Sequence, residues 1–375
     1  MAPHRKRAWR RALLGLGLLA TAIGAQLAAR SAPAEVERLF SRTLYPHLGG
    51  RLGHAAGVLP FSLAEVLVLG AVSFLIAFAV RAVLRVARGR DRPMALLVRT
   101  GSNALLLAGG GYALFLLLWG FNYSRLPLAT SAGMPVRPAP PSELADLASA
   151  LVLAANEARV ELAEDERGAF RIAGGFGSVA LRAAQGYAAL GADQPLFRTP
   201  AARPKRVLLS SLLSRVGITG IYFPFSGEPN LNTTVPDSAL PFSTAHELAH
   251  QQGFAREDEA NFVGYLACRR HPDPDFRYSG LLAASHYAIV ALHHADPSAA
   301  AKVMAARSAA VLRDEAALRE WADRYRGPAS EMGERVNDAY LRTQGQRDGV
   351  RSYGRMVDLL LAERRAGSSP LPDRR

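Results

Sequence analysis

Three long apolar runs dominate the first third of the chain. Residues 12–29 follow a basic start, residues 61–80 carry a single ionisable group, Glu65, and residues 102–121 close on an aromatic edge of Trp119, Phe121 and Tyr123. At 1.5 Å per residue, about 20 helical residues cross a hydrocarbon layer of roughly 30 Å. The pattern therefore predicts transmembrane helices at about 12–29, 61–80 and 102–121 in a membrane module spanning residues 1–123. Small residues at 28–34 would suit a signal peptidase, but the two further spans favour an uncleaved anchor. Residues 35–60, with Pro46, Gly49, Gly50, Gly53 and Pro60, read as a short polar connection.

After Tyr123 the pattern changes. Residues 124–141 contain Pro127, Pro135, Pro138, Pro140 and Pro141 and predict a stiff, extended linker. Residues 142–366 then predict a mainly α-helical domain. Its helices fall at about 142–166, within 169–190, at 207–216, around the motif described next, at 278–294, and across 298–326 and 328–365. Residues 218–225 differ, being β-branched and aromatic, with Ser226-Gly227 as a turn and 228–235 as a return strand. Pro224 cannot donate to a central ladder, so this small hairpin should present an edge strand, to which an extended peptide could add. Covering the core is the hairpin's plainer use. The Arg-rich residues 367–375 are expected to be a disordered tail.

The densest chemistry lies at 244–261. His246, Glu247 and His250 form HExxH, and positions four apart on a helix share a face. Both imidazoles can then address one Zn2+ while Glu247 stands beside it as a base. Gly253 suits a helix end, so the chain can turn back into a second helix at 256–268, whose first turn holds Glu257, Asp258 and Glu259. Glu257 is the favoured third ligand because Asn261 lies four residues on, placed to support it by hydrogen bonding; Glu259 is the reserve. Tyr222, His286 and Tyr287 are possible oxyanion or substrate contacts, and Asn337, Tyr340 and Tyr353 are further residues that can line a cleft. The glycines at 174, 175 and 177 match no phosphate-binding pattern.

Charge adds orientation. The net charge of +13 is carried mainly by arginine, much of it in two groups flanking the apolar runs: residues 5–11, and Arg81, Arg85, Arg88, Arg90, Arg92 and Arg99. Such flanks stay cytoplasmic, which places the domain outside the cytoplasm; with no stacking aromatics or recognition fold, nucleic acid is not an expected partner. A single cysteine, Cys268, excludes an intrachain disulfide and any multi-cysteine zinc ribbon.

Residues 217–232, the run 246–262 and the segment 337–355 together resemble an uncharacterised bacterial membrane family known only as a numbered domain of unknown function. The glutamate followed four residues later by asparagine is also similar to the gluzincin metallopeptidases. That likeness implies a ligand role for Glu257 and a supporting role for Asn261. The spacing of Gly253 is similar to metzincins too, whose third ligand would fall at Arg256, a residue that cannot bind zinc. The combined expectation is a multi-pass protein of the bacterial cytoplasmic membrane with an extracytoplasmic, zincin-like domain acting as a metalloendopeptidase on envelope or secreted proteins. The alternatives are a non-catalytic zinc-binding protein and a metal-dependent amidase of the cell envelope.

Overall fold

The computed structural model describes residues 3–194 and 196–367; of the expected disordered tail, everything from residue 368 on lies outside them. The chain is mainly helical with one small sheet. Among the described residues, three helices are long and apolar enough to cross a membrane: α1 (Pro3–Ser31, apolar over Lys6–Ser31), α3 (Leu63–Ala87) and α4 (Pro93–Leu118), with α2 (Tyr45–Gly57) between the first two. They run further than the apolar stretches alone suggest, because arginine is a good helix former and nothing breaks the chain between 81 and 87. The arginine-rich stretch 81–99 is thus two helix ends joined by a turn at 88–92, where Arg85 bonds Asp91 at 2.7 Å. α1 packs along α4, aided by Arg11 donating to Asn103 at 2.9 Å and by a Tyr112–Gln26 bond.

Two connections depart from expectation. Residues 35–60 are not a polar link but helical throughout most of their length, as a π-helical segment Val36–Leu44 followed by α2. Gly49 and Gly53 are buried contact points there, so small size rather than chain breaking explains them. The 124–141 stretch is extended only in part. It holds α5 (Leu128–Ala132), and Leu128, Ala132 and Met134 enter the main core, since the prolines leave the apolar residues 128–134 free to coil and bury.

The domain's helices are α6 (Pro141–Arg159), α7 (Gly175–Arg182), α8 (Ala184–Asp193), α9 (Ser210–Arg215), α10 (Leu240–Gln251), α11 (Glu257–Arg269), α12 (Pro274–Ala295), α13 (Pro297–Ala305), α14 (Ala309–Tyr325), α15 (Pro328–Thr343) and α16 (Met356–Arg365). Pro93, Pro141, Pro274, Pro297 and Pro328 open their helices, where the missing N–H costs nothing and the fixed φ is already helical. α10 and α11 lie at the centre, packed on each other and against α7, α8, α12 and α16, and neither exposes a polar face. The sheet has the order β1-β3-β2, with β1 (Lys205–Arg206), β2 (Gly220–Phe223) and β3 (Glu228–Leu231). β2 pairs antiparallel with β3 from Gly220↔Leu231 to Phe223↔Glu228, and β1 joins β3 in parallel. β2 is therefore an edge, with Pro224 just beyond it, while the return strand stops at Leu231 rather than 235.

Candidate metal centre

The site is made first by one helix and its stop. All of α10 is buried, and the rings of His246 and His250 lie 4.6 Å apart at 89°. Gly253 then takes φ +87°, and a Cβ there would stand 2.9 Å from the Tyr45 ring, so both conformation and space require glycine. The turn it forms, with the Gly253 N–H bonded to the His250 carbonyl at 2.9 Å, delivers Glu257 as the first residue of α11.

Glu257 closes the group. Its Oε2 lies 3.3 Å from His246 Nε2 and 3.4 Å from His250 Nε2, and hydrogen bonding leaves that buried oxygen otherwise unsatisfied. Among the described residues, His246, His250 and Glu257 form the cluster able to hold a metal ion. His250 Nδ1 is 2.7 Å from the Phe254 carbonyl, which fixes the tautomer and leaves Nε2 facing the cluster. Burial lowers the basicity of His250, but the Glu257 and Glu247 charges outweigh it and the ring is pushed up to about 9. Burial likewise raises Glu257, and the two imidazoles more than reverse this, holding it well below the usual carboxylate range. The negative charge is thus already present on the cluster.

Glu247 lies beside it at the edge of β2. A Cβ on Gly220 would sit 2.6 Å from Glu247 Oε1, and the Tyr222 backbone N–H donates to this carboxylate. Burial raises the Glu247 pKa despite the two histidines.

The remaining expected residues divide. Glu259, the reserve ligand, is spent elsewhere: its Oε1 accepts the Leu128 N–H at 2.7 Å, anchoring α5. Asn261 donates to the Tyr353 carbonyl at 3.1 Å and shares a hydrogen bond with Tyr287, so its support reaches the cluster through tyrosines and not through Glu257. The Tyr222 hydroxyl bonds Tyr45 at 3.2 Å inside a packed aromatic group; only its backbone serves the site. His286 is exposed on α12, next to Glu315 and Arg307. Tyr287 is close enough to feel Glu257, with burial first and that charge adding to push its phenol up to about 12.

A wall built from segments next to the apolar helices completes the centre. Trp119, one residue past α4, donates its indole N–H to the His250 carbonyl at 3.1 Å, and its ring meets the His250 ring edge-on at 5.9 Å. Tyr45 donates to the Gln251 carbonyl at 2.9 Å. Arg125 forms a two-pronged buried pair with Glu37 at 2.8 and 2.9 Å and donates its third nitrogen to the Gly253 carbonyl at 3.0 Å. On the opposite flank Tyr353 stacks on His246 at 6.3 Å, and Tyr340 bonds Tyr123 at 3.1 Å. Trp119 and Tyr123 are legible in the sequence only as an interfacial belt, and Tyr45 sits among apparent chain breakers, so no local signal marks them as site residues.

Neither the curated proteins nor the solved structures hold a match to this chain. One family model does match, over residues 40–361, a span that holds the second and third apolar helices, both helices that carry the candidate cluster and the tyrosines of the far flank. The chain belongs to that family, described as Protein of unknown function (DUF3810).

Proposed function

We propose that the protein is a membrane-anchored, zinc-dependent metallopeptidase. The observation that carries this reading is the convergence of Glu257 Oε2 on two imidazole nitrogens at 3.3 and 3.4 Å, with Glu247 alongside. Donors held 2.0–2.1 Å from a tetrahedral ion are about 3.3–3.4 Å apart, and a His, His, Glu set with no fourth protein ligand is the donor chemistry of catalytic zinc. When bound, zinc supplies Lewis acidity for a scissile carbonyl.

The chain's own residues do the rest. Glu247, made more basic by burial, takes a proton from the attacking water and hands it to the leaving amine nitrogen as the C–N bond breaks. Tyr353 is the hydroxyl best placed to donate to the developing oxyanion. It stacks on His246, and burial, with the Glu257 and Glu247 charges adding, keeps its phenol protonated at neutral pH. An extended peptide laid along β2 would run past Glu247, since Gly220 and the Tyr222 N–H both border that carboxylate. The arginine groups at 5–11 and 81–99 lie at the helix ends remote from the domain, which supports a bacterial cytoplasmic membrane with the domain outside the cytoplasm.

The test uses the full chain purified in detergent. Wild type should carry zinc and cleave an unstructured polypeptide, while Glu247→Gln should keep its zinc and lose turnover by about 100-fold or more. Turnover in Glu247→Gln at the wild-type rate, or a wild type without zinc, removes the reading. Cleavage confined to amide bonds of non-peptide envelope material would move it to an amidase.

A further inference from the structure

We propose that residues 207–216 are a lipid-contacting segment seated in the bilayer interface, so that the strand leading to Glu247 is held at the membrane surface. The starting point is Glu65. Between it and Arg81 lie residues 66–80, none of them charged. As helix this run is about 22 Å long, shorter than a hydrocarbon core of roughly 30 Å. With no length to spare, neither charged residue can lie outside the apolar layer; snorkelling and local thinning bring both to its two boundaries, and any group bonded to Glu65 shares its depth.

What bonds Glu65 is the start of the proposed segment. Its carboxylate accepts the Leu208 N–H at 3.0 Å and the Leu209 N–H at 2.9 Å, tying the entry of α9 to the first turn of α3. The side chains there are large, apolar and bare. Leu208 is 73% exposed, Leu209 44% and Leu212 59%, whereas Val207, Ser210 and Ser214 face the protein. Exposed Arg203, Arg206 and Arg215 flank the leucines. Apolar residues bracketed by arginines, at the depth of a span's own boundary, fit an interface of acyl chains beneath anionic headgroups. The occupant is therefore the bilayer already crossed by α3.

The consequence is positional. Gly217 and Ile218 lead from α9 into β2, the strand that borders Glu247. Where the peptidase reading holds, the peptide bonds in reach belong to stretches of chain lying at the membrane surface. The lipid contact itself does not depend on that reading.

Spin labels decide it. The only native cysteine, Cys268, is fully buried, so single cysteines placed at exposed positions label selectively. Leu208→Cys and Leu212→Cys are made in the full chain, in nanodiscs of phosphatidylcholine and phosphatidylglycerol. Collision with oxygen is compared with collision with a water-soluble nickel chelate. Leu75→Cys on α3 and Leu153→Cys on α6, both 61% exposed, give the lipid and water references. The 208 and 212 labels should show an oxygen-to-nickel ratio several-fold above that of 153, moving toward that of 75. A ratio equal to that of 153 overturns the proposal, because the segment would then face water. Low collision with both reagents also overturns it, because a second copy or another protein would then cover the leucines. Zinc content and turnover do not enter this readout, so its failure is separate from failure of the peptidase reading.

Discussion

His246, Glu247, His250 and Glu257 reach one point from a single helix and the first residue of the next, whereas Tyr45, Trp119 and Arg125 converge on the turn behind that point from segments far apart in the chain. In the proposed reading the first group is chemistry, supplying donor atoms and a base. The second is placement, and much of it hydrogen-bonds to backbone, at the carbonyls of His250, Gln251 and Gly253. Those carbonyls lie where α10 ends, which is where its orphan acceptors need partners. The residues next to the apolar helices thus hold the turn that aims Glu257, and the end of α4 is part of the centre's construction.

The contrast predicts unequal effects, and the largest falls on the local group. Glu257→Ala removes a direct donor. Partners one step removed from a metal are worth about 10–100-fold in affinity, so this change should cost more than about 100-fold, read by competition with a chelator of known affinity. Affinity equal to wild type would falsify the triad. Next comes Arg125→Ala, which leaves the buried Glu37 carboxylate with only the half-exposed Arg42 as its partner and frees the Gly253 carbonyl. Removing one partner of a buried pair costs up to about 3–5 kcal/mol, and the remaining Arg42 keeps the loss toward the lower end, measurable by denaturant unfolding of the detergent-solubilised chain, with a smaller loss of metal affinity than Glu257→Ala. The double change Glu37→Leu with Arg125→Met should recover most of that stability.

The same pair has a pH signature. Burial raises Glu37, but Arg125 and Arg42 outweigh it and hold the carboxyl below its ordinary value. A group depressed in the folded state contributes its stability above the unfolded pKa and loses it as pH falls through the folded one. Wild type should therefore lose this increment below about pH 4, and the apolar double variant should not.

The two groups also differ in how far they can be read from the chain. HExxH and the glycine stop follow from helical spacing and backbone conformation, and both stand where expected. Choosing among Glu257, Asp258 and Glu259 was harder for a physical reason: each step turns a side chain about 100° around the helix, so one-residue differences in the start of α11 change which acid faces the histidines. The Asn261 spacing favoured Glu257, although Asn261 itself bonds Tyr353 and Tyr287. Tyr45 and Arg125 carried no such pattern. Their neighbours include glycines and prolines that resemble breaks until close packing against distant segments is seen, and a Trp at the end of an apolar helix is more often interfacial than structural. The mainly helical character and the edge strand were legible; the helical build of 35–60 and the buried α5 were products of long-range contact.

Trp119→Phe is the smallest and most discriminating change. Phenylalanine keeps most of the ring packing against Tyr123 at 5.1 Å and Tyr222 at 5.6 Å, so the loss is confined to the indole N–H. The His250 carbonyl it leaves still accepts from the Gly253 N–H at 2.9 Å and is not stranded. The net cost should be about 1 kcal/mol in stability, with metal affinity down by less than about 10-fold. Should the loss of affinity instead match that of Glu257→Ala, the end of α4 would be setting the donor geometry directly. The division between a local chemical group and a distant placing group would then give way to a single unit that folds only as a whole.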